Sequence, residues 1–178
     1  MSRVYLCEGT TIVGTCEIGV ESVVYPRVCI ECSSSADADV SLGERNVVEE
    51  RTTIRDSTIQ HSNTISVGCT IINSSIGSFN TIAPHCQLIN SQIGNLCSIS
   101  SGVKLENAVL GDNTVVYLLP SPGEPGGGRV RERWHNWASR VLPAEQLRIK
   151  FQQAEAYHRT LTDKDSSYFV GKHFALKG

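Results

Sequence analysis

Large side chains are scarce in this sequence. Aromatic residues make up 6% of its 178 positions and methionine occurs once, so a core must be assembled from Ile, Val and Leu. No run of about 18 apolar residues occurs, and nothing reads as a membrane-spanning helix. The opening MSRVYLCEGT lacks the apolar stretch of a secretory signal. An excess of one charge is also missing: 16 basic residues face 18 acidic ones. That balance excludes the basic stripe expected of a dedicated nucleic-acid binder. Cysteine is absent beyond Cys97. The seven up to and including it are odd in number, and the one C-x-x-C pair, Cys29 and Cys32, has no second pair to complete a zinc site. Buried thiols of a reduced, cytosolic chain are the expectation. The charges are unevenly placed: residues 1–119 hold 6 Lys/Arg against 12 Asp/Glu, and residues 120–178 hold 10 against 6. A basic tail against an acidic body, or two separate partner surfaces, would produce this split.

What the sequence does have is a repeat. Aliphatic residues recur every six positions at Ile12, Ile18, Val24, Ile30, Ala36, Leu42, Val48 and Ile54. The series continues through Ile59, Ile65 and Ile71, then Ile76, Ile82 and Leu88, then Ile93, Ile99 and Leu105, then Leu110 and Val116, with one residue dropped at each break. Two positions before an anchor stands a compact residue such as Cys16, Ser22, Thr52, Ser74, Cys86 or Val103. Side chains two apart on a strand share a face, so each hexad reads as a short strand with one large and one small inward residue. Three strands close a triangular coil, and successive coils stack at about 4.8 Å. Asn46, Asn63 and Asn80 then form one inward column, with Cys69 over Cys86 in another. The dropped residue follows Asp56, Asn73, Asn90 and Asn107, types that tolerate a left-handed backbone. Gly19, Gly43, Gly77, Gly94 and Gly111 are expected to turn corners in the same way, and Gln60, which interrupts that series, to bend one coil differently. The fold class is therefore an all-β solenoid, a parallel β-helix over residues 1–119. Its left-handedness comes from similarity to hexapeptide-repeat proteins.

Residues 120–128 form a Pro/Gly linker. Residues 129–178 read as an α-helical tail docking on the β-helix. Val130, Trp134, Trp137 and Val141 make one helical stripe, and Leu147, Phe151, Ala154, Tyr157 and Leu161 make a second. The two Trp make the first helix the better candidate for a partner interface.

No catalytic, metal or cofactor constellation is read. His61 and His85 stand at different points of their coils, and His135, His158 and His173 lie in the tail. A catalytic zinc needs three ligands and an open position, and no such spacing occurs. For acyl transfer, His61 or His85 is the available base, although neither is marked by an inserted loop or a second polar group. The GEPGGG run has no following Lys-Ser/Thr and is not a phosphate cradle. Glu49, Glu50 and Arg51, next to Arg55, form a charged corner, most simply a solvated turn, with a paired-carboxylate site as the alternative. Cys69 and Cys86 are packing thiols.

The stretch VSLGERNVVEERTTI (40–54), the end AVLGDNTVVY (108–117) and the tail LPAEQLRIKFQQAEAYHRTL (142–161) resemble the hexapeptide-repeat subunits of the dynactin pointed-end complex: subunit 6, with subunit 5 as close competitor. That resemblance implies a non-catalytic structural subunit supporting dynein-driven cargo transport, in the cytoplasm and cytoskeleton. It implies as partners a subunit 5-like β-helix, the actin-related protein of the pointed end and a p62-type subunit, with no cofactor. The candidate partner interface comprises Trp134, Trp137, Val141, Tyr117, Glu49, Glu50 and Arg51. The alternative is a trimeric hexapeptide-repeat enzyme, a γ-type carbonic anhydrase or an acyltransferase.

Overall fold

The computed structural model describes residues 3–33, 39–118, 137–141, 152–153, 156 and 176–177. Eighteen short strands, β1(Tyr5–Cys7) to β18(Val109–Leu110), follow one another around three walls, and β19(Thr114–Leu118) opens a further coil. Wall A runs β1, β4, β7, β10, β13, β16, β19; wall B runs β2, β5, β8, β11, β14, β17; wall C runs β3, β6, β9, β12, β15, β18. All pairings among these strands are parallel. In the later coils the register is constant, Ile54 pairing with Ile71 and Ile71 with Leu88. This is the hexapeptide-repeat β-helix of the left-handed type.

The anchors fill the interior. Ile30, Ile54, Ile71, Leu88 and Leu105 stack along wall B, and Val24, Val48, Ile65, Ile82 and Val116 along wall A, all wholly buried. Each such side chain is worth about 1.5–3 kcal/mol of burial. β-Branched residues suit these positions because they pack well on a pleated surface. The compact residues two before each anchor satisfy the backbone where strands turn. Asn46, Asn63 and Asn80 are buried in one column, each Oδ1 accepting the backbone N–H one coil on at 2.7–2.9 Å. Their Nδ2 groups donate to the corner carbonyls of Gln60, Gly77 and Gly94. Ser57, Ser74 and Ser91 form a second column, each hydroxyl accepting the next coil's N–H at 3.1 Å. Cys69 and Cys86 continue a third, their thiols donating to Ala83 O and Ser100 O. Hydrogen bonding to Cys69, together with burial, holds the Cys86 thiol above its ordinary range.

Asp56, Asn73, Asn90 and Asn107 are left-handed, with φ between 47° and 54°. The glycines of the C–A edge behave otherwise. The left-handed residues there are Glu21, Arg45, Ser62, Phe79, Leu96 and Asn113. Gly19, Gly43, Gly77 and Gly94 are required instead by close approach: a methyl on Gly19 would run into the backbone of Gly43, and one on Gly77 would meet Gly94 O at 2.5 Å. Gln60 does not bend its coil differently, since Ser62 keeps the same left-handed turn and Ile59↔Ile76 the same register.

Two further expectations change. The anchor expected at Ala36, between β5(Cys29–Glu31) and β6(Val40–Leu42), lies outside the described residues. The first coil carries Ile12 to Ile30 and the second carries Ile30 to Ile54, so the second is longer by one hexad, which falls between β5 and β6. Residues 34–38 lie outside the described residues. Because the insertion equals one hexad, it keeps the repeat in phase and is invisible to it. In the tail, Trp137–Val141 is strand β20, not helix, and pairs antiparallel with β19. The last coil offers an unpaired edge whose N–H and C=O groups an extended segment satisfies, and this overrides the helical spacing. Leu176–Lys177 forms β21, antiparallel to β1 at the opposite end. Gln152, Gln153 and Ala156 are helical and exposed. The linker 120–128, Trp134 and the apolar stripe of the second helix fall outside the described residues.

Candidate active site

Each wall meets the next at an edge built from a few corner residues, and the two histidines of the solenoid occupy different edges. His61 is at the C–A edge. Its Nδ1 accepts the backbone N–H of Glu44 one coil earlier at 2.9 Å, and its own N–H donates to Ser78 Oγ at 3.1 Å. The series continues with Ser78 N–H to Asn95 Oδ1 and Asn95 N–H to Asp112 Oδ1, both 2.7 Å. His61 is thus one step of a ladder in which each side chain caps the coil before it. With Nδ1 accepting, the neutral ring carries its proton on Nε2 and cannot take another at Nδ1 without giving up the ladder bond.

His85 is at the A–B edge, exposed and left-handed at φ 62°. Its backbone N–H donates to Val67 O at 3.0 Å, and Gly68 N–H donates to Glu50 O at 2.9 Å, which puts Glu50, Val67 and His85 on consecutive coils of one edge. The ring lies over Gly68, where a methyl would stand 2.6 Å from Nδ1. Among the described residues the imidazole has no hydrogen-bond or ion-pair partner. On the same edge a cleft of about 190 Å³ is lined by Tyr25, Glu49, Glu50 and Val67, and His85 follows one coil beyond Val67. Glu49 is held there by the N–H of Val67, which donates to Oε2 at 3.1 Å. Glu50 is exposed, and among the described residues its carboxylate forms no such bond. Cys7, two coils before Glu49 on the same edge, is wholly buried. Burial, then the charge of Glu50, pushes its thiol up to about 12, so it stays protonated at neutral pH and is no nucleophile.

An uncommitted imidazole on the edge that also carries this cleft is the group there suited to accept a proton. The groove on the B–C edge is about 300 Å³ and lined by Asp56, Thr58, Asn73, Ser75, Asn90 and Gln92 among others, and among the described residues that edge carries no histidine. Its Asp56 accepts the N–H of Ser33, and its Asn73 donates to Asn90. Among the described residues no three His, Cys, Asp or Glu side chains gather as metal ligands do.

The structure disperses the residues expected to form one partner interface. Tyr117 and Val141, 38% and 69% exposed, sit at the last coil, where Tyr117 pairs with Ala138 and Thr114 with Val141. Trp137 pairs there with Leu118. Glu49, Glu50 and Arg51 lie four coils away, about 19 Å at 4.8 Å per coil, where Glu49 and Glu50 line the cleft. Arg55 is not part of that corner: its Nε and Nη2 donate to Glu31 Oε2 at 2.8 and 2.5 Å. Glu49 and Glu50 stand on the same edge as His85, two coils before it, about 10 Å at 4.8 Å per coil. Counting coil by coil along the sequence would have shown that shared edge.

No protein-family model matches the chain, and no curated protein sequence does. Solved structures do. A hexapeptide transferase family protein from Anaplasma phagocytophilum superposes with a TM-score of 0.63 at 12% identity, covering 89% of this chain and 91% of that one. A Bacillus cereus protein described as an acetyltransferase superposes with a TM-score of 0.51 at 17% identity, covering 87% and 98%. These likenesses establish the shared fold. They also correct the dynactin reading: the neighbours are bacterial hexapeptide-repeat transferases, and the non-catalytic subunit role and cytoskeletal location give way with it. The partners named above were inferred through that resemblance alone.

Proposed function

We propose that this chain is an acyltransferase of the hexapeptide-repeat class, using His85 as general base at the A–B edge. The observation that carries the reading is the unengaged imidazole of His85, one coil beyond Val67 on the edge that holds the Tyr25–Glu49–Glu50–Val67 cleft. The likeness of the whole coil to proteins described as a hexapeptide transferase and an acetyltransferase supports it. In the reaction an acceptor amine or hydroxyl attacks the carbonyl of an acyl thioester, and its proton passes to a ring nitrogen of His85. The C–S bond then breaks, and the departing thiolate takes that proton, which restores the neutral base. His61 does not fill this role because its Nδ1 is occupied by Glu44 N–H.

Thiol release from acetyl-coenzyme A in the presence of a panel of amines and alcohols tests the proposal. The wild-type chain is expected to turn over with at least one acceptor class, and His85→Gln to lower kcat about 10²–10⁴-fold. Coenzyme A at 100 times its Kd raises stability by about 2.7 kcal/mol if it binds the folded chain. Absence of both turnover and stabilisation defeats the reading.

A further inference from the structure

We propose that the outer edge of β1 is an exchangeable strand-docking site, filled here by the chain's own C-terminal Leu176–Lys177 and equally able to take the same segment from a second copy. Four observations converge on this. First, β21 is antiparallel on a wall whose solenoid strands are otherwise parallel, with Leu6↔Lys177 and Cys7↔Leu176 as its register. It is an added strand, not part of the coil. Second, it is very short, so few backbone bonds hold it and exchange is easy. Third, the edge it covers is a row of N–H and C=O groups that would otherwise pair with any extended segment. Fourth, β20 and β21 occupy opposite ends of wall A, in the order β20-β19-β16-β13-β10-β7-β4-β1-β21. Eight strand spacings of about 4.8 Å separate them by roughly 38 Å, which takes about 12 extended residues to span.

The chain between Val141 and Leu176 is well over twice that length, so the intramolecular connection closes with slack to spare. At ordinary concentration a tether of this length keeps the segment at home, because its effective concentration there exceeds that of any second copy. The balance reverses when the tether is too short to reach. The same residues then dock on another chain's β1, the exchange that short hinge connections favour. The partner chemistry follows: a short extended backbone, run antiparallel to β1.

The experiment is to delete residues 146–171, which leaves a connection with a reach of roughly 30 Å, too short for the span. Mass is compared with the full-length chain by size-exclusion chromatography with light scattering. The shortened chain is expected to appear at a higher multiple of its own chain mass than the full-length protein shows. Removing residues 176–178 from it as well is expected to return the original multiple. A shortened chain that keeps the full-length protein's multiple overturns the proposal, as does a higher multiple that survives loss of 176–178. Neither result depends on acyl transfer, so this inference and the proposed function fail separately.

Discussion

The C–A and A–B edges of this prism each carry one histidine over one glycine. A methyl on Gly43 would lie 2.6 Å from His61 Nδ1, and one on Gly68 would lie 2.6 Å from His85 Nδ1. The packing is alike and the electrostatic outcome is opposite. His61 spends its acceptor on Glu44 N–H and becomes part of the scaffold. His85 spends none among the described residues and remains available to a ligand. Burial and neighbour type do not separate the two residues; the separation lies in whether a backbone N–H of the preceding coil points at the ring. A repeat protein can therefore turn a structural position into a reactive one by changing which edge a residue occupies.

The sharpest way to break this comparison is to remove each ring in turn. His85→Gln is expected to cut acyl transfer by about 10²–10⁴-fold, a barrier change of roughly 3–5 kcal/mol, with the melting temperature unchanged. His61→Gln should leave kcat within about twofold. Steady-state kinetics and thermal melting on both variants decide the matter, and an activity loss at His61 that matches the one at His85 would erase the distinction. Next in size is the interior that both edges share. Asn63→Ala strands the N–H of Asn80 and the carbonyl of Gly77, at a cost of about 2–3 kcal/mol in denaturant unfolding, with little effect on coenzyme A affinity.

The two glycines come third. Gly43→Ala meets Gln60 backbone at 2.8 Å as well as the ring and is expected to destabilise by about 2 kcal/mol. Gly68→Ala, at φ +72°, meets only the ring of His85. It should cost about 1 kcal/mol while displacing the base and lowering activity severalfold. If Gly68→Ala leaves activity intact, the ring is not where the chemistry occurs. The smallest effect belongs to the Glu31–Arg55 pair. Hydrogen bonds from Arg55 hold the Glu31 carboxyl below its usual range. The bonus this pair gives is present above the unfolded carboxyl pKa of about 4.3 and lost as pH falls through the lower folded value. Glu31→Gln should abolish only that acid-side component of the unfolding curve, measured between about pH 5 and 2.

Much of the solenoid was legible because its rule is local. A large inward residue every six positions, with a small one two before it, predicts the burial of Ile54, Ile71 and Leu88 and the columns through Asn63 and Cys86. Legibility ended where stacking between coils, and not order along the chain, decides the outcome. Ile12 keeps the period yet is 41% exposed, and Val13 beside it 50%, because β2 is the first strand of its wall and has a neighbour on one side only. The extra hexad of the second coil kept the repeat in phase and so left no mark. Trp137 and Val141 are spaced for a helix, but the free edge of β19 takes them as a strand. That Glu50 and His85 share one edge is likewise a relation across two turns. It was readable in principle from the length of one coil and hidden from any search for motifs between near neighbours in sequence.

The most direct test of the reactive edge is NMR of the imidazole nitrogens during titration with coenzyme A. His85 nitrogen resonances are predicted to move with saturation while those of His61 hold still, its Nδ1 remaining bonded to Glu44. Saturable movement of His61 alone, or of neither ring at concentrations where coenzyme A binds, would contradict the assignment of His85 as the base.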